Sequence, residues 1–186
     1  MRIIPPRLWI TCRVIANENR LQLLQEIFTA PRQSVSELSE TIGLTLGSTS
    51  SQLKMLNSEG FITPHRVKQE VRYDDIILYA PSHIEKLQTS LKMEFLSGSS
   101  LQSICKESTG LTHQRRIELV NRLSKSPRSM KQLLDETMMS YSALSRHLNK
   151  LKSRNYISYS GQQYHLSNPP GILAKTLLKI ATGDLS

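Results

Sequence analysis

Apolar residues along the chain form short stripes at helical spacing, and the same succession of stripes occurs twice. Leu21, Leu24, Ile27 and Phe28 recur at i, i+3 and i+6 or i+7, as do Ile117, Val120 and Leu123, so each set predicts a helix with one buried side. Pro31 and Pro127 end these helices. Ser34 with Glu37 three residues on, and Ser129 with Gln132, then have the spacing of a reciprocal capping box that opens a second helix. Leu38 and Ile42, or Leu133 and Leu134, supply its buried side. After a break at Gly43-Leu44 or Met138-Met139, Thr45 and Ser140 are placed to cap a third helix. Its inward stripe is Thr49, Leu53 and Leu56 in the first copy and Leu144, Leu148 and Leu151 in the second. Gly60 and Asn155 follow at equivalent places, the two residue types that most readily take the left-handed conformation of a helix C-cap.

Extended segments come next in both copies. Phe61 to Val67 and Val71 to Tyr79 flank a polar turn at Lys68, Gln69 and Glu70; Tyr156 to Tyr159 and Tyr164 to Leu166 flank a shorter one around Ser160, Gly161 and Gln162. Aligned with itself, the chain repeats at an offset of 96 residues before Gln33 and 95 after it, so Gln33 is an insertion. Identities include Arg20 with Arg116, Pro31 with Pro127, Leu53 with Leu148, Leu56 with Leu151 and Ile62 with Ile157. Three helices with a sharp turn between the second and third, then a hairpin, predict a winged helix-turn-helix. The fold class is therefore mainly α with small β-hairpin wings, as two tandem winged helix-turn-helix domains at residues 1–97 and 98–186. Apolar stripes flank each unit: Leu8, Trp9, Cys12 and Ile15; Ile84, Leu87, Leu91 and Phe95; Leu101, Ile104 and Cys105; Leu173, Leu177 and Ile180.

Charge sharpens this reading because it is unevenly spread. Residues 1–96 hold 11 basic and 10 acidic side chains, a net +1, whereas residues 97–186 hold 13 and 5, a net +8. A basic surface in the second half favours a polyanion such as nucleic acid. With 100° per residue and the Leu144, Leu148 and Leu151 stripe turned inward, the outward face of the third helix carries Ser142, Arg146, Asn149, Lys150 and Ser153, with Ser145 and His147 on its flanks. Arg146 has the geometry for a bidentate contact with guanine, and Ser142 and Asn149 for base edges or phosphate. Tyr141 sits at the helix N-terminus, where a backbone phosphate or a thymine methyl is in reach, and Lys150, Lys152 and Arg154 add non-specific charge. The first copy offers Thr45, Gly47, Ser48, Ser51, Gln52, Lys54, Met55 and Ser58 on its third helix, with a single lysine, and Arg66, Lys68 and Arg72 on its longer wing.

The segment Ser140-Tyr141-Ser142-Ala143-Leu144-Ser145-Arg146-His147-Leu148, followed by Leu151, resembles the recognition helix of the arsenic-repressor (ArsR-type) family of bacterial and archaeal regulators. Thr45 to Leu56 matches that pattern more loosely, Asn17 to Leu24 resembles the family's ADPTRLRIL segment, and Gly161 to Leu166 resembles its wing ending. The resemblance implies a recognition helix in the major groove, a wing against the backbone or minor groove, and a dimer interface built from first and last helices. The flanking stripes fit a single-chain pseudo-dimer, with Ser97 to Ser100 as the flexible junction, and an ordinary homodimer equally well. Many of these repressors sense metal through cysteines at the start of the second helix or through Asp and His on the last. Here the second-helix positions are Val35, Ser36 and Glu37, or Met130, Lys131 and Gln132, and the last helix has neither pattern, so no metal and no cofactor is expected.

Function therefore reads as a sequence-specific, double-stranded-DNA-binding transcription regulator, a repressor by resemblance, and not an enzyme. No Gly-rich phosphate loop, nucleophile elbow or paired acid site is legible. The competing reading is a winged-helix scaffold that binds protein, which an acidic recognition face would have favoured. Cys12 and Cys105 lack Cys or His at ligand spacing and read as small buried hydrophobes. Asp74 and Asp75 read as turn or solvent residues beside the wing. The apolar run from Leu8 to Ile15 contains Arg13 and is too short to span a bilayer, so the expected location is the cytoplasm, nucleoid-associated when DNA-bound.

Overall fold

The computed structural model describes residues 7–76 and 81–184. It divides into two compact units, residues 14–105 and residues 7–13 with 106–184, so the division runs through α1 (Leu8–Ile15) after Arg13 and through α6 (Leu101–Ser108) after Cys105. Residues 7–13 thus group with the second sequence repeat. Local contacts explain this: Arg13 Nε donates to the Thr112 carbonyl at 3.0 Å, and Cys12 is fully buried, its thiol pushed far up by that burial. Cys105 is half-buried. Among the described residues no helix is long and apolar enough to cross a membrane.

In the N-terminal winged unit, α2 (Glu18–Thr29) is capped by the Asn17 side chain, which accepts from Arg20 N at 3.0 Å, and it buries Leu21, Leu23, Leu24 and Ile27. The inserted Gln33 begins a two-residue strand, β1 (Gln33–Ser34), and Arg32 before it turns left-handed at φ 67°. Gln33 Nε2 donates to the Ala30 and Glu26 carbonyls at 2.8 and 3.3 Å, so the insertion satisfies the open end of α2. The capping box of α3 (Val35–Ile42) is complete: Ser34 N donates to Glu37 Oε2 at 2.6 Å and Glu37 N donates to Ser34 Oγ at 3.2 Å. Gly43 then turns the chain at φ 69° into α4 (Leu46–Ser58), capped by Thr45.

Thr49, Leu53 and Leu56 of α4 are all fully buried, but the Thr49 hydroxyl has no hydrogen-bond partner. An unpaired buried hydroxyl costs about 1–3 kcal/mol. Thr49→Val keeps the branched shape and removes that penalty, so the denaturation midpoint of the N-terminal unit is expected to rise, by about 1 kcal/mol of stability.

The wing consists of β2 (Thr63–Val67) and β3 (Glu70–Asp74), and β1 adds to it antiparallel in the order β1-β3-β2. Within the described residues β3 ends at Asp74; residues 77–79 of the expected longer strand lie outside them. Asp74 and Asp75 are not solvent residues. Asp74 is buried, accepts from Ile76 N at 3.3 Å and pairs with Arg32 at 3.4 Å, while Asp75 binds Lys92 Nζ at 2.6 Å. Lys92 belongs to α5 (Ser82–Leu96), which buries Ile84, Leu87 and Leu91 and packs on α2, so the pair ties the wing's end to this helix.

The C-terminal winged unit repeats the plan with α7 (Gln114–Leu123), α8 (Met130–Thr137) and α9 (Tyr141–Lys152). Its wing is β4 (Ile157–Ser160) and β5 (Gln163–Leu166), and α10 (Ile172–Thr182) packs on α7 with Leu173, Leu177 and Ile180 buried. Ser129 N donates to Gln132 Oε1 at 2.8 Å and Gln132 N to Ser129 Oγ at 3.3 Å, the second complete capping box. Met138 occupies the place of Gly43 at φ 54°, and Asn155 the place of Gly60, at φ 60° against 84°. Gly161 and Gln162, at φ 55° and 63°, close the short wing in the type I′ turn that matches strand twist. Arg122 and Arg128 both pair with Glu136, at 3.2 and 2.7 Å, holding α7 and the following loop to α8.

Candidate nucleic-acid interface

α9 is built so that burial of one side fixes what the other presents. Leu144, Leu148 and Leu151 are completely buried, and Ser140 holds the first turn by accepting from Ala143 N at 3.3 Å. The opposite side exposes Tyr141, Ser142, Arg146, Asn149, Lys152 and Ser153, with Ser145, His147 and Lys150 half-buried at its edges. Among the described residues neither Arg146 nor Lys150 is paired with a carboxylate, whereas Arg115, Arg122 and Arg128 are neutralised by Glu118 and Glu136. Arg154 is turned inward: its Nε donates to Thr109 Oγ1 at 2.9 Å and steadies the short 3-10 turn Thr109–Leu111.

His147 is tilted against His113, with ring centroids 4.6 Å apart, and its Nδ1 is buried without a hydrogen-bond partner. Burial first, then the positive surroundings of His113, Arg116, Arg146 and Arg115, bring its pKa down to about 4; burial also lowers His113. Both rings are therefore neutral at pH 7. An unfolded histidine takes its proton near pH 6.5, so between that value and about 4 the unfolded chain binds more protons than the folded one. Stability is full above pH 6.5 and falls as pH drops toward 4. Urea midpoints of the wild type are expected to fall more between pH 7 and pH 4.5 than those of His147→Gln, which has no proton to gain; equal slopes would remove the histidine from the account.

Sequence reasoning missed His113, Arg116 and the wing tyrosines. His113 is the N-cap of α7, its Nδ1 accepting from Arg115 N at 3.1 Å, at the position Asn17 fills before α2. Its cap role was legible from the repeat; its approach to His147 needed the packing of α7 on α9. Tyr159 and Tyr164 face each other across β4 and β5 with rings 4.8 Å apart, and Tyr141 adds to the electrostatic surroundings of Tyr164.

The first copy's residues are disposed differently. Gly47, Ser51, Lys54, Met55 and Ser58 are exposed on α4 and Ser48 is half-buried, but Thr45 serves as N-cap, accepting from Ser48 N at 3.2 Å. Gln52 is turned inward, its Oε1 accepting from the buried Arg20 at 2.6 Å. On the wing, Arg66 and Lys68 are open, while Arg72 is engaged within the unit by Glu70, Glu37 and the Arg32 carbonyl. Leu46 and Met55 leave apolar surface on this face, 56% and 48% exposed.

Comparison with known families gives two matches in the same frame of the repeat. Residues 113–159 match the bacterial regulatory protein, arsR family, and residues 17–63 match winged helix-turn-helix DNA-binding domains. Each match begins at the helix cap, His113 or Asn17, and ends in the first strand of a wing. No curated protein matches the chain. The chain thus carries two winged helix-turn-helix domains in tandem, of the type found in DNA-binding regulators.

Proposed function

We propose that the chain is a sequence-specific, double-stranded-DNA-binding transcription regulator whose C-terminal winged unit reads the major groove with α9. The observation that carries this is the outward face of α9, where Arg146 and Lys150 have no carboxylate partner among the described residues and stand among short polar side chains. Arg146 takes guanine as a fork, Ser142 and Asn149 reach base edges or phosphate, and Tyr141 and Lys152 meet the backbone at the two ends of the helix. Ser145 and His147 flank that contact. The tyrosine pair of the short wing lies against the backbone beside it.

In the N-terminal unit, Arg66 and Lys68 contact phosphate through the wing. The α4 face carries only Lys54 as a cation and exposes Leu46 and Met55, which favours an assembly contact there over base reading. Repression, by occupying an operator, is the sign of regulation that the likeness to the arsR family supports.

Selection from a pool of random duplex DNA with the full chain tests this. The expected result is an enriched motif whose affinity falls steeply as salt rises, since phosphate contacts release counterions. No enrichment at low salt contradicts sequence-specific recognition and returns the chain to a protein-binding scaffold.

A further inference from the structure

An open pocket of about 620 Å³ lies between the start of α7 and the second half of α9. We infer that it is a phosphate-binding site in which Arg116 and Lys150 hold the phosphate oxygens, the His113–His147 pair lines the side and Arg146 stands at the rim. Arg116 is aimed before any ligand arrives: its Nε donates to the Gly110 carbonyl at 2.6 Å, and its Nη2 to the Thr109 carbonyl at 3.1 Å and Thr112 Oγ1 at 2.7 Å. All three acceptors are neutral, so the guanidinium is fixed but keeps its charge uncompensated. Those bonds use the Nε and Nη2 donors, so it is Nη1 that remains to donate to a phosphate oxygen.

The internal repeat supplies a control. Arg20 is the counterpart of Arg116, and it is closed off by side chains, donating to Gln52 Oε1 at 2.6 Å and to Met55 Sδ at 3.5 Å. The residues at those two positions in the second copy are His147 and Lys150. One copy thus fills the place above its arginine with a neutral pair, and the other leaves a cationic pocket there. Among the described residues no carboxylate lines it. Burial and neighbouring cations lower Lys150 and Arg116 as well as both histidines, a repulsion that a bound anion relieves. Facing these groups are His113, Arg115 and Arg116 from α7, Arg146 and Lys150 from α9, Arg13 from α1, and Arg154 beyond α9.

A phosphodiester of DNA and a free phosphorylated small molecule share this chemistry, and only the DNA source rests on the reading of α9 as the groove-reading helix. Inorganic phosphate titrated into the full chain, followed by the imidazole signals of His113 and His147, is expected to give a saturable shift. The double substitution His147→Gln with Lys150→Met installs the pair that the first copy already accommodates, so it is expected to keep its circular-dichroism spectrum while phosphate binding weakens at least tenfold. Lys175→Met, an exposed lysine on α10, is expected to bind phosphate as the wild type does. Absence of a saturable shift in the wild type, or undiminished binding in the double variant, overturns the proposal.

A heterologous duplex then separates the sources. If the backbone supplies the phosphate, the double variant lowers the slope of log affinity against log salt by about one more than Lys175→Met does, and inorganic phosphate competes with the duplex. Equal slopes assign the pocket to a small phosphorylated ligand. Phosphate binding without any enriched DNA motif would overturn sequence-specific reading alone and leave the pocket standing.

Discussion

Arg146→Ala is expected to weaken binding to the selected DNA motif by about 1–3 kcal/mol, roughly fivefold to 150-fold, and to relax the preference at one base pair. Its magnitude follows from the bidentate contact that a guanidinium makes with guanine, which no other outward residue of α9 replaces. The side chain is exposed and makes no carboxylate pair among the described residues, so its removal leaves the fold intact, with stability changed by no more than about 0.5 kcal/mol. Lys152→Ala, at the end of the same helix, is expected to weaken all duplexes alike, without altering the preferred sequence. Competition binding against single-base variants of the motif distinguishes the two patterns.

Leu148→Ala acts on the other side of α9. Leu148 is fully buried between Leu144 and Leu151, and truncating such a side chain removes its transfer energy and leaves a cavity, at a cost of about 3 kcal/mol within a usual range of 2–5. For a unit of this size that is a large share of total stability. Leu53 is its counterpart on α4, equally buried, so Leu53→Ala is expected to cost a similar amount in the N-terminal unit. Denaturant midpoints measure both. A loss below about 1 kcal/mol at either position would mean that the stripe is not the core it is taken to be. Folded Leu148→Ala is expected to keep the wild-type sequence preference, the converse of Arg146→Ala.

Particular residues explain how far the chain could be read before its fold was known. Ser34 with Glu37, Ser129 with Gln132, and the left-handed Gly60 and Asn155 are local chemistry, in which side chain and backbone within a few residues decide the outcome, and each forms as its spacing implies. The inward stripes of α4 and α9 follow from a period of 3.6 and are equally legible. Partnerships across longer separations were not. Asp74 and Asp75 look like turn residues until Arg32 and Lys92 are brought to them, and Gln52 looks outward until Arg20 takes its oxygen. Arg72 looks free until β3 lies beside α3, and Glu37 and Glu70 engage it. His113 lies 34 residues from His147 in sequence, and only the packing of α7 against α9 makes them one feature. The outward side of α9 was legible as a helix face; the pocket beside it was not, because its walls come from two helices and an arginine held by backbone carbonyls.

Reading of base edges by α9 is tested by a cycle that changes both sides of one contact. The guanine whose preference Arg146→Ala relaxes is replaced in the selected duplex by 7-deazaguanine, which removes the N7 acceptor and leaves pairing intact. Affinities are measured for wild type and Arg146→Ala on both duplexes. Either change alone is expected to weaken binding, and the second to add little once the first is made, a coupling of about 1 kcal/mol or more. Losses that simply add would place Arg146 away from that base and contradict reading of the major groove by this helix.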